Sequence, residues 1–139
     1  MSHTAKGTFE VKGWDEKTWD GKQWNEQAGP KLTHANVTQV FNGDIEGESV
    51  VQFLMAYRDD SYATFVGLQQ ITGRIGARSG SFVLEVSGVF ENGAAKSNWS
   101  VVGGSGTGEL QGITGNGTTV AEHNGAQSFT LDYDFAKGT

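Results

Sequence analysis

Short runs in which apolar and polar residues alternate one for one recur along almost the whole chain. The clearest is Gln127 to Phe135, where Phe129, Leu131, Tyr133 and Phe135 alternate with Ser128, Thr130, Asp132 and Asp134. A period of two places successive side chains on opposite faces, the signature of a strand with one face against a core. Seven further runs read the same way. Thr4 to Trp14 sets Phe9 and Val11 against Thr8, Glu10 and Lys12. Leu32 to Asn42 aligns Val37, Gln39 and Phe41, and Glu48 to Arg58 aligns Val51, Phe53, Met55 and Tyr57. Tyr62 to Thr72 aligns Ala63, Phe65, Gly67, Gln69 and Ile71; Gly80 to Glu91 aligns Phe82, Leu84, Val86, Gly88 and Phe90. Ala94 to Val102 aligns Ala95, Ser97, Trp99 and Val101, and Thr118 to Asn124 aligns Thr119, Ala121 and His123.

What separates the runs is mostly short. Arg58-Asp59-Asp60-Ser61 and Asn92-Gly93 are hairpin signals. Gly43 to Gly47 reads as a turn or bulge, Gly73 to Ser79 as a turn, and the glycine-dense stretch Gly103 to Gly117 as a barrel corner. Asp15 to Lys31, which carries Trp19, Trp24 and the single proline, reads as a long loop across one barrel end. No helical run of useful length separates the strands, so a parallel sheet is disfavoured. The expected fold is all-β: an eight-stranded antiparallel meander barrel, one domain over residues 1–139. Closure removes exposed strand edges, and an eight-stranded barrel is either filled by side chains or holds one small ligand.

Composition narrows the function. The chain has 139 residues, a net charge of −6 and no cysteine. The acidic balance disfavours nucleic acid and anionic membrane as partners. The absence of cysteine excludes disulfides, thiolate metal sites and a thiol nucleophile. With no apolar stretch near the N-terminus and none approaching 18 residues elsewhere, a cytoplasmic location is expected.

The candidate chemistry is sparse. The glycine-dense stretch is not a phosphate loop, because Glu109 follows Gly108 where Lys would be needed. His3, His34 and His123 are far apart, and only His123 falls on an inward face, too few for a metal site. Asp132 and Asp134 alternate outward. Asp15 and Glu16 fall in the expected loop, where a carboxylate could reach a ligand, although solubility and capping are the favoured explanation. The best lead is the inward set, in which Gln39, Ser49, Tyr57, Gln69, Ser97, Trp99, Thr119, His123 and Tyr133 sit among large apolar residues. Ligand cavities have this composition, apolar walls with a few neutral polar groups. That face carries almost no carboxylate and no lysine, which weighs against general acid–base catalysis. The expected site has Trp14, Tyr57, Trp99 and Tyr133 as its lining and Gln69 and His123 to orient a small apolar ligand, with no cofactor and no metal. Two other readings stand beside it. One is a cyclase or isomerase that restrains a reactive substrate, with Glu16 or His123 assisting. The other is a non-catalytic homo-oligomer, a dimer or trimer, that covers the outer face of strand three at Val50, Leu54 and Ala56.

Several strings together carry a resemblance: Trp14-Asp15-Glu16, Phe41-Asn42-Gly43-Asp44-Ile45-Glu46-Gly47, Val66-Gly67-Leu68, Gly80-Ser81-Phe82-Val83-Leu84, Gly104-Ser105-Gly106-Thr107-Gly108-Glu109-Leu110 and Leu131-Asp132-Tyr133-Asp134-Phe135. From about Thr8 to Phe135 the chain resembles a bacterial family of small proteins of unknown function with an allene oxide cyclase-like barrel. The glycine-dense stretch is also similar to the Gly-Thr-Gly turn of plant dirigent proteins, which share that barrel. The resemblance implies an eight-stranded antiparallel barrel and a homo-oligomer, and no established activity. The chain departs from the family where glutamate usually follows the Val-Gly-Leu string, having Gln69 and Gln70 instead. It also lacks the histidine that some members carry near Glu85 or Val86.

Overall fold

Eight strands form the protein: β1 (His3–Thr18), β2 (Lys31–Gly43), β3 (Ile45–Asp59), β4 (Tyr62–Ile75), β5 (Arg78–Glu91), β6 (Ala94–Val101), β7 (Ile113–Ala121) and β8 (Gln127–Phe135). The structure, a computed structural model, describes residues 3–26, 28–122 and 127–136. Each strand pairs antiparallel with its neighbour in sequence, and β8 returns to pair with β1, closing a barrel. Among the described residues, helical structure is confined to single 3-10 turns at Trp24–Glu26 and Gly108–Leu110, and no helix is long and apolar enough to cross a membrane.

The alternation does what it predicts. Phe9, Val37, Phe41, Val51, Phe65, Ile71, Phe82, Leu84, Val86, Trp99, Phe129 and Leu131 all point inward and are buried. Mid-barrel, the rings of Phe9, Phe41, Trp99 and Phe129 pack as one cluster. Phe41 lies 5.5 Å from Phe9, 5.8 Å from Trp99 and 5.4 Å from Phe129, and Trp99 stacks on Phe129 at 5.8 Å. Such offset and edge-on pairs add to the burial of the rings themselves. One barrel end is plugged by Leu110, which the 3-10 turn of the β6–β7 connection drives into the core beside Ile113. The glycine-dense stretch is therefore a corner. Gly106 lies so close to the Leu110 carbonyl that a Cβ there would stand 2.0 Å from the oxygen.

Three expectations are corrected. β1 does not stop at Trp14. Its pairing with β2 slips by one residue between Val11 and Gly13, and the strand then runs on to Thr18. The bulge re-phases the strand, so Trp14, Glu16 and Thr18 take the inward face after Phe9 and Val11. A period-two count breaks at this point, which is why the pattern looks like a strand end. The connection to β2 is correspondingly shorter, residues 19–30. β7 starts at Ile113, five residues before the expected Thr118, because Gly115 and Gly117 are strand residues and not turn residues. Gly47 and Gly73, also expected in turns, face each other across β3 and β4. There the strands coil so tightly that a Cβ on Gly73 would lie 2.1 Å from the Glu46 carbonyl oxygen and 2.7 Å from the Gly47 Cα. Asn92 (φ 52°) and Gly93 (φ 85°) form the β5–β6 turn with left-handed backbone at both positions, as the dipeptide predicts.

Candidate functional site

The barrel end opposite Leu110 gathers the β1–β2 connection and the β3–β4 and β5–β6 turns, with the end of β7 and the start of β8 beside them. Below it, packing is incomplete. A cavity of about 100 Å³ is lined by Phe9, Val11, Trp14, Phe53, Met55, Phe65, Phe90, Ala95 and Ala121, with Gln39, Ser97 and Thr119 as its polar groups. The void follows from side-chain size: β6 and β7 present Ala95, Ser97, Thr119 and Ala121 where β3 and β4 present Phe53, Met55 and Phe65. Trp14 stands at the mouth, 48% exposed, with its indole 6.4 Å from the Phe53 ring.

Two polar groupings back the cavity. Gln69 Nε2 donates to Gln39 Oε1 and to Ser49 Oγ, each at 2.8 Å. On the far wall the hydroxyls of Ser97 and Thr119 hydrogen-bond each other across β6 and β7. At the start of β8, paired with Ala121, Gln127 Oε1 is a buried acceptor with no partner among the described residues.

Beside the mouth lies a feature that the alternation alone does not reveal. Glu16 is inside the barrel wall, 3% exposed. Three donors close on its carboxylate: Trp14 Nε1 to Oε1 at 3.0 Å, Thr33 Oγ1 to Oε2 at 2.6 Å and Tyr57 OH to Oε2 at 2.7 Å. A buried carboxylate is tolerable when hydrogen-bonded in this way. Burial, then the hydrogen bond to Glu16 and the Glu16 charge, hold the Tyr57 hydroxyl well above the usual tyrosine range and keep it a donor. Next to it the buried Lys31 ammonium sits 4.7 Å from the Tyr57 ring centre and 5.1 Å from that of Trp24, with Asp60 Oδ1 at 3.8 Å. Asp60 also accepts from the Gly29 backbone N–H at 3.1 Å, so this group ties the β1–β2 connection to the β3–β4 turn.

The residues expected at the site are thus distributed. Trp14 lines the cavity. Gln69 is buried behind Gln39 and reaches the cavity only through it. Tyr57 is joined to Trp14 through Glu16. Trp99 is a member of the packed ring cluster, 3% exposed. Tyr133 lies at the plugged end, 5.3 Å from the His3 ring and 6.0 Å from that of Phe135. His123 lies outside the described residues. Glu16, expected in a solvated loop, is instead a buried anchor. The one signal for it was Gly13, a glycine inside a strand pattern and hence a candidate bulge, after which Trp14 and Glu16 share a face. Among the described residues, no three His, Asp or Glu side chains are placed to hold a metal ion. The cavity offers hydrogen bonds, apolar contact and a ring at its mouth, and its lining carries no charged group.

A wider concavity of about 780 Å³ lies on the outside of β4 to β8, open to solvent and bordered by Val66, Leu68, Glu85, Asn98, Asn116 and Asp132. On the adjoining outer face, Leu32, Val50, Leu54, Val66 and Leu68 are each about half exposed. Cross-strand register sets Leu54 beside Val66, so these residues form a stripe over β2, β3 and β4.

Comparison with known proteins agrees with this architecture. No curated protein matches the chain. A crystal structure of a protein of unknown function from Shewanella oneidensis MR-1, a member of the DUF3224 family, superposes with a TM-score of 0.80 at 25% identity. The match covers 99% of this chain and 100% of that one. The profile of the family described as "Protein of unknown function (DUF3224)" matches residues 5–133, nearly the full length of the barrel, and the chain therefore belongs to that family.

Proposed function

We propose that the protein binds a small, uncharged, largely apolar molecule in the cavity beneath Trp14. The observation that carries this reading is the cavity itself: a void of about 100 Å³ with apolar walls and a few neutral polar groups, set under an accessible ring at one barrel end. Drug-sized ligands need roughly 300 Å³ or more, whereas an engineered apolar cavity of about 150 Å³ holds benzene. The occupant is accordingly of the order of one small ring, with Trp14 as the group that admits it. The ordering of Glu16 favours binding over catalysis. Its carboxylate is engaged by three protein donors, which makes it the anchor of Trp14 rather than a free base at the cavity.

The test is NMR titration with a panel of small ring compounds. Shifts of the Trp14 indole N–H and the Met55 methyl that saturate together, and that vanish in Ala95→Phe, are expected. An unperturbed Met55 methyl across the panel overturns the reading. Native mass spectrometry with solvent extraction of freshly purified protein then identifies any molecule already carried.

The apolar stripe supports a second reading, a homo-oligomer that covers it. Contiguous exposed apolar surface on a soluble domain marks an interaction site. Sedimentation velocity is expected to give a species larger than 14.8 kDa, which Leu54→Lys with Leu68→Lys returns to the monomer. A wild-type protein that is monomeric at every concentration removes this reading.

A further inference from the structure

The hydrogen-bond ledger of the cavity narrows what fills it, and this step rests on the binding reading above. Gln39 Oε1 is turned into the Gln69–Ser49 network, so its Nε2 hydrogens have no partner among the described residues while the side chain lines the cavity. On the opposite wall the Ser97–Thr119 pair uses one hydroxyl hydrogen, whichever residue donates it. The other O–H then has no partner among the described residues, and both residues line the cavity. Once an apolar occupant displaces water from the cavity, unmatched donors are the costlier kind of omission, since an oxygen has a second lone pair to fall back on while an N–H or O–H has nothing. No cation and no carboxylate lines the cavity, so a charged ligand group would be buried without a counterion.

We infer that the molecule this cavity accepts carries a neutral carbonyl-type oxygen on a small ring, which accepts from Gln39 Nε2 or from the free hydroxyl of the Ser97–Thr119 pair. A purely hydrocarbon occupant would leave every one of these donors unmatched. A carboxylate would bring a charge that nothing in the lining neutralises.

An isosteric pair of probes tests this directly: cyclopentanone and methylenecyclopentane, which differ in replacing C=O by C=CH₂. Affinities are read from the saturating shifts of Trp14 and Met55 in the wild type and in Ser97→Ala, Thr119→Val and Gln39→Met, each checked for a native-like amide spectrum. The expected result is ketone binding that weakens about tenfold or more in at least one variant, with the alkene unchanged or tighter, which corresponds to about 1.4 kcal/mol. Alkene binding with a ketone affinity that no variant alters overturns the inference and leaves the binding reading standing. Binding of neither probe, with Met55 unmoved, overturns both.

Discussion

At the scale of single residues, Glu16 is where the barrel is most exposed to a one-atom change. Its two oxygens serve Trp14, Thr33 and Tyr57 at once. Glu16→Leu leaves three donors facing an apolar group. The expected loss is about 2 kcal/mol or more, given about 1–3 kcal/mol for a buried polar group stripped of its partner and less for the half-exposed Trp14. Glu16→Gln, which keeps one acceptor oxygen, loses less. Urea midpoints at constant slope measure both, and a loss under about 0.5 kcal/mol for Glu16→Leu means that the carboxylate is solvated. Tyr57 supplies a pH signature. Its folded-state hydroxyl titrates above the ordinary value, so between about pH 10 and that raised value the folded chain holds a proton that the unfolded chain has released. Stability is full below about pH 10 and falls as pH climbs through that window. Tyr57 is expected to resist phenolate formation until the protein unfolds, and Tyr57→Phe to abolish that late absorbance step. A late absorbance step that persists unchanged in Tyr57→Phe would contradict the arrangement.

At the scale of elements, the glycines sort by what surrounds them. Gly73→Ala drives a methyl into the Glu46 carbonyl and the Gly47 backbone, neither of which can yield without opening the β3–β4 ladder. Gly103→Ala meets nothing within 4 Å. The first is expected to cost about 2 kcal/mol or more, or to prevent folding, and the second to stay within about 0.5 kcal/mol of wild type in the same unfolding assay. This contrast also explains what the sequence made legible. Strand count, order and the inward set among the described residues were readable because most runs keep a period of two, and β8 was bounded to the residue. Errors fell where glycine serves inside a strand. Gly47, Gly73, Gly115 and Gly117 carry no side chain to mark a face, so a coiled strand and a turn look alike. The bulge at Gly13 hid Glu16 for a related reason, because one extra residue reverses every later assignment on that strand. Within the cavity, Trp14 was legible as an aromatic near a barrel end. That Trp99 packs while Ala95 and Ala121 leave a void was not, since volume complementarity depends on which strands face each other across the interior.

At the scale of the whole molecule, closure rests on one seam. Every other pairing joins neighbours in sequence, but β1 meets β8 over only His3 to Thr8, opposite Tyr133 to Ser128. Removing residues 127–139, which include β8, is expected to leave β1 and β7 with bare edges and the Phe41–Trp99 face uncovered. The truncated chain should partition to the insoluble fraction, and recovery of a soluble, cooperatively unfolding fragment would show that seven strands suffice. The same seam governs how the protein is made. During synthesis β1 emerges before the other seven strands, and it must wait for β8 until more than a hundred further residues have followed. A barrel of this connectivity can close only once β8 has emerged. Until then the nascent chain carries an open sheet with its aromatic lining bared, a species whose fate depends on keeping other chains away from it.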